Sequence, residues 1–230
     1  MKHNVKVTLI LLAMFLVAQF IGLYVSHAYL PVQQQVFNNE TGQMENQTIY
    51  NIPYGFNPPE NISPTASVIS IMISILIAVG IIFLFMRFRA ETLLRVWFAF
   101  VVMIGIALAL NAFLDKIIIY PSAIAVLVAL PLAVLKIYRR NILIHNITEL
   151  LIYPGIAVVF IPLLSVWSSV ILLVLISIYD IYAVWHAGFM QKMARYQIEK
   201  LHVFSGFLIP YVKKTSNIVS NAPAKLKSKN

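Results

Sequence analysis

The chain has 230 residues, 60% of them hydrophobic and only 11% charged, with a net charge of +9 at neutral pH and no cysteine. Apolar residues gathered in runs of about 20 mark a polytopic membrane protein and exclude a soluble α/β domain. The basic residues flank those runs as topology signals, so the charge does not point to nucleic acid, and the lack of cysteine excludes disulfides and thiolate metal sites.

Residues 1–30 hold the first span, an apolar stretch over 5–29 behind Met1-Lys2-His3-Asn4. It is longer than a signal-peptide core and ends in no clean small-x-small site, so it reads as an uncleaved helix. Residues 31–64 form the one long polar segment, with Asn38, Asn39, Asn46, Asn51, Asn57 and Asn61, four prolines and neither Lys nor Arg over 31–63. This composition predicts an irregular external loop with a short strand around 48–54. Asn46 and Asn61 open Asn-x-Ser/Thr sequons, which an Asn-rich loop produces readily by chance.

Five further spans are expected across 65–187: 66–86, 93–113, 118–135, 148–164 and 168–187. The fifth is interrupted by Pro154-Gly155 and Pro162. Each must be helical, because an open segment in lipid has to satisfy its own backbone. Residues 188–211 read as an amphipathic surface segment or a truncated apolar helix, and 212–230 as a disordered basic tail. With the N-terminus in the cytoplasm, sixteen of the seventeen Lys and Arg residues fall on the cytoplasmic side and only Lys116 falls outside. Both termini are therefore expected in the cytoplasm, with Trp97, Trp167 and Trp185 as interfacial anchors and Asn111 at a helix contact.

Asp180 stands inside the sixth apolar run, where a carboxylate costs about 2.5–3.5 kcal/mol on insertion scales. Ser169, Ser177, Asp180, Ala183 and Ala187 share one helical face, predicting that the carboxyl group turns into the bundle, opposite Leu172, Leu175, Ile178 and Tyr182. Three uses suit such a group. It is half of an aspartic dyad, in which close like charges force two pKa values apart; a proton or cation relay beside a broken helix; or a buried acid bonded to Tyr179, Tyr182 or a serine. Glu149 is expected in an interfacial ion pair with Arg139, Arg140 or His145, and His186 at a helix end. No residue set has a metal-ligand pattern, and no cofactor is expected.

Tyr179-Asp180 followed by Ala183-Val184 resembles the first catalytic motif of the presenilin and signal-peptide-peptidase class of intramembrane aspartyl proteases, in particular its archaeal members. Leu151-Ile152-Tyr153-Pro154-Gly155-Ile156-Ala157, Phe160-Ile161-Pro162 and Ser205-Gly206-Phe207-Leu208-Ile209-Pro210 extend the likeness across roughly 91–211. The resemblance implies an all-α membrane fold of six helices like the family's N-terminal part. It also implies Asp180 as one of two catalytic aspartates, Tyr179 as a supporting residue, and single-span membrane proteins as substrates. The family's second motif, Gly-x-Gly-Asp, and its Pro-Ala-Leu motif do not occur in these residues. Asp115, the other aspartate, sits beside Lys116 at the far end of the third span and is a poor mate.

The expected function is therefore the N-terminal part of an intramembrane protease, inactive until spans carrying the second aspartate join it. Those spans come from another chain, or two copies meet. The alternatives are a non-catalytic scaffold, or pseudoprotease, and a component of an ion- or proton-coupled transporter.

Overall fold

The computed structural model describes residues 5–38, 42–58, 63–139, 141–184, 188–201 and 203–209. The chain runs α1 (Val5–Ala28), β1 (Val32–Asn38), β2 (Gln43–Ile49), α2 (Pro64–Arg87), α3 (Glu91–Leu114), α4 (Pro121–Tyr138), α5 (Ile142–Phe160), α6 (Val166–Tyr182) and α7 (Phe189–Tyr196), which passes into a π-helical turn, Gln197–Leu201. Among the described residues five helices are long and apolar enough to cross a membrane: α1, α2, α3, α4, and α5 with the turn that extends it to Leu163. The chain is thus a multi-pass helical membrane protein. At 17 residues α6 is shorter, about 26 Å at 1.5 Å per residue against a hydrocarbon core of about 30 Å.

Local chemistry explains most helix ends. Ser63 caps α2, its Oγ accepting from Ala66 N at 3.3 Å ahead of Pro64, and Ser165 caps α6 through Ser168 N at 3.2 Å. Asn141 Oδ1 accepts from Leu143 N at 2.9 Å and Ile144 N at 3.3 Å, which starts α5 at Ile142, six residues before the span expected at 148. The expected interruption at Pro154 is also absent, since α5 runs through it. Proline there frees one carbonyl of the preceding turn, a loss that packed neighbours make tolerable in a membrane helix. Pro162 instead falls in a 3₁₀ turn, Ile161–Leu163, that closes the helix.

The polar segment is more regular than expected. Instead of one strand over 48–54, β1 and β2 form an antiparallel hairpin in register from Val32↔Ile49 to Asn38↔Gln43. Pro31, Pro53 and Pro58 lie outside the strands, where no ladder hydrogen bond is lost, and Val, Phe, Thr and Ile within them favour the pleat.

α3 is the centre of the bundle and packs on both α4 and α5, while α1 lies along α5. Small residues allow this: Ala125, Ala129 and Ala133 make a fully buried stripe at intervals of four on α4. Gly105 and Gly155 meet where α3 crosses α5, so closely that a Cβ on Gly155 would overlap the Gly105 carbonyl. At one end of the bundle Tyr29, Asn111 and Ser122 join α1, α3 and α4. Tyr29 Oη donates to Leu108 O at 2.8 Å, Asn111 Nδ2 to Tyr29 Oη at 2.9 Å, and Ser122 Oγ to Asn111 Oδ1 at 2.9 Å. Tyr54 adds a bond to Ser122 O at 2.8 Å and ties the segment after the hairpin to the same end. Arg95, Lys136, His145 and α7 gather at the opposite end. Asn111 thus sits at a helix contact, as its place in an apolar run suggests.

Candidate functional site

α6 packs chiefly on α2, outside the tight group formed by α1, α3, α4 and α5. Its inward stripe is Ser168, Leu172 and Ala183, which are buried, with Ile176 partly so; Leu172 and Ile176 pack with Val68 and Ile71 of α2. This differs from the expected face of Ser169, Ser177, Asp180, Ala183 and Ala187; of those, Ala183 is buried and Ala187 lies outside the described residues. The cause is local: Ser169 and Ser177 satisfy their hydroxyls on their own helix, at Ser165 O (2.9 Å) and Leu173 O (2.8 Å), so burying Leu172 and Ile176 gains more.

Asp180 therefore sits at the rim of the α2–α6 contact. Tyr179 is half-buried, and Asp180, about 100° further round the helix, is exposed in the isolated chain. Both residues line a cavity of about 340 Å³ whose other walls are Met72, Ile75 and Val79 of α2 and, from α7 and the turn after it, Met193 and Gln197. The walls are largely apolar, and Asp180 is the only carboxylate among the described lining residues. The site thus presents one acid and a neighbouring phenol to whatever enters between α2 and α6. Beyond the cavity, Leu173, Val174, Ile178, Ile181 and Tyr182 remain exposed on α6.

A second polar centre lies where α4 and α5 approach. Lys136 Nζ donates to Glu149 Oε1 at 2.6 Å, with the two side chains only 4% and 3% exposed. Lys136 Nζ also lies 3.4 Å from His145 Nδ1, so the ring fits as the Nε2–H tautomer, donating to Gly206 O at 2.8 Å. Glu149 was expected to pair with Arg139, Arg140 or His145. His145 Nε2 does stand 3.6 Å from Glu149 Oε1, but the cation is Lys136, which reads in sequence as a topology residue at the end of α4. The spacing of His145 and Glu149 by four was the available signal for this centre.

Other residues singled out in the sequence are dispersed. Asp115 ends α3, and Trp97 and Trp167 are exposed near helix starts, as interfacial anchors would be. Trp185, His186, Asn61 and residues 210–230 lie outside the described residues. Among the described residues no group of three His, Cys, Asp or Glu is placed to hold a metal ion. No family model, no curated protein and no solved structure matches the chain.

Proposed function

We propose that this multi-pass membrane protein supplies one carboxylate, Asp180, to an intramembrane aspartic peptidase, the second coming from another helix that docks beside α6. The observation that carries the reading is the position of Tyr179 and Asp180 in the wall of an apolar cavity, on a helix that leaves Leu173, Val174, Ile178 and Ile181 exposed among the described residues. In such a pair one ionised carboxylate takes a proton from water as it attacks the peptide carbonyl, while the other, protonated, donates to the carbonyl oxygen. Two like charges held close make the split in protonation possible. The apolar walls suit a single-span membrane substrate, beside which Tyr179 on the same wall would pack. The basic residues at the α2–α3 and α4–α5 connections, and Lys192, Arg195 and Lys200 in α7 and the turn after it, favour a cytoplasmic N-terminus and a cell-membrane location.

The chain is to be reconstituted with a single-span substrate, alone and with a second chain carrying Gly-x-Gly-Asp and Pro-Ala-Leu spans. Cleavage is expected only in the complemented sample and is lost with Asp180→Asn. Cleavage that survives Asp180→Asn overturns the assignment. A second reading, a non-catalytic membrane scaffold, is favoured by Asp180 being the only acid among the described cavity residues; it predicts no turnover under either condition. Proton flux in vesicles, abolished by Asp180→Asn, would instead point to transport.

A further inference from the structure

Residues 203–209 follow the π-helical turn without regular secondary structure and lie along the first turns of α5. What holds them is unusual in kind, because every bond from α5 goes to main chain. Asn146 Nδ2 donates to Leu208 O and Leu208 N donates to Asn146 Oδ1, each at 2.8 Å. Glu149 Oε1 accepts from Gly206 N at 3.3 Å, and His145 Nε2 reaches Gly206 O at 2.8 Å. Residues 206 and 208 thus turn both backbone groups to the same side, the period-of-two habit of an extended strand, with helix side chains standing where a neighbouring strand would be.

Val203 is buried in the core beside Leu201, whereas the side chains that follow it fit loosely by comparison. Phe204 lies 6.2 Å from the His145 ring and Phe207 6.3 Å from Tyr153, while Ser205 is exposed. Cavities of about 440 and 450 Å³ flank the segment, one reaching Lys136, Arg139 and Ile142, the other Gln19, Tyr153 and Pro154. Over 204–209 main-chain recognition is tight and side-chain recognition is slack. Gly206 supplies the one sequence demand: its φ of +125° strains an L side chain, and a Cβ would sit 3.3 Å from the Phe204 ring.

We propose that His145, Asn146 and Glu149 form a binding site for an extended, glycine-centred apolar peptide, and that residues 203–209 are its internal, exchangeable occupant. Bonds to backbone read a peptide with little regard to its side chains, as in strand addition, and the flanking cavities give room for side chains bulkier than those of the internal segment. The tethered segment competes at high effective concentration, so an external peptide binds well only when the internal one is weakened. The site does not use Asp180 and stands or falls apart from the proposed peptidase activity.

The full chain lacks cysteine, so a nitroxide on Ser205→Cys reports the segment alone. Gly206→Ala weakens the occupant and leaves the α5 site intact, and the label should become mobile. A fluorescent synthetic peptide of the 203–209 sequence with appended lysines should then bind the Gly206→Ala chain about tenfold more tightly than the wild type, the worth of about one net hydrogen bond. Adding Asn146→Ala, or replacing the peptide's glycine by alanine, should remove that binding. Leu208→Pro, which deletes the amide that Asn146 accepts, must behave as Gly206→Ala does, and thermal melting confirms that each variant is folded. A label that stays immobile in both segment variants overturns the proposal. So does peptide binding that is equal in all chains, which is partition into the micelle, or binding that survives Asn146→Ala.

Discussion

Substituting Gly155 by alanine should be the most damaging single-methyl change in the bundle. The added Cβ would overlap the Gly105 carbonyl, and a backbone oxygen in the middle of a helix cannot rotate aside as a side chain can. The helices must therefore part, and a gap on the order of 0.5–1 Å forfeits about a quarter to a half of each dispersion contact along the seam. Buried Ile106, Ala109, Ile152 and Val158 lie on or beside that seam and share the loss. Overpacking of this kind costs about 1–3 kcal/mol, and the backbone obstacle places it near the top of that range. Replacing a helix-interior glycine by alanine returns about 1 kcal/mol. A net loss of about 2 kcal/mol corresponds to about 4–8 °C in Tm for a chain of this size. Melting in detergent, followed by circular dichroism, would measure it. Gly105→Ala, whose Cβ meets Ile152 O and Ile156 Cγ1 at 3.3 Å, should cost less, and Gly80→Ala, with nothing within 4 Å, should be neutral or stabilising. A Gly155→Ala protein as stable as Gly80→Ala would refute the close α3–α5 crossing.

Other expectations follow from the polar centres. Glu149→Gln or Lys136→Met should each destabilise by about 3–5 kcal/mol, because each leaves a buried partner uncompensated, whereas Lys136→Met with Glu149→Leu should recover most of the loss; a double-mutant cycle on melting measures this. Burial pushes the Tyr29 hydroxyl up to about 12, against the opposing hydrogen bond from Asn111. The folded state thus retains this proton longer than the unfolded one, so stability is intact below about pH 10 and declines from there towards pH 12; Tyr29→Phe should flatten that decline in a pH-dependent melting series. Asp180→Asn should leave Tm unchanged or raise it, since the carboxyl group makes no hydrogen bond or ion pair among the described residues and its removal relieves the cost of a charge in an apolar run; a clear fall in Tm would mean that Asp180 supports the fold.

The candidate site was legible in unequal parts. Asp180 and Tyr179 stand out because a charge in an apolar run is anomalous whatever surrounds it. The face of α6 was misjudged because serine looks like a small contact residue in sequence, while in the fold Ser169 and Ser177 bond to their own helix. Lys136 was masked by its place among helix-end cations, although it belongs to the most buried ion pair described.

The sequence by itself determined the long apolar helices of the described residues and much of their extent. The transfer of a run of about 20 residues into lipid is a property of that run, indifferent to its neighbours. Serine, asparagine and proline near the ends of α2, α5 and α6 act within a single turn and are equally local. Only the tertiary structure decided which stripe of α6 is buried, that Gly105 meets Gly155, that Lys136 finds Glu149, and that 203–209 lies on α5. Each depends on two segments far apart in the chain reaching the same few ångströms, and no local pattern of hydropathy or charge specifies that encounter.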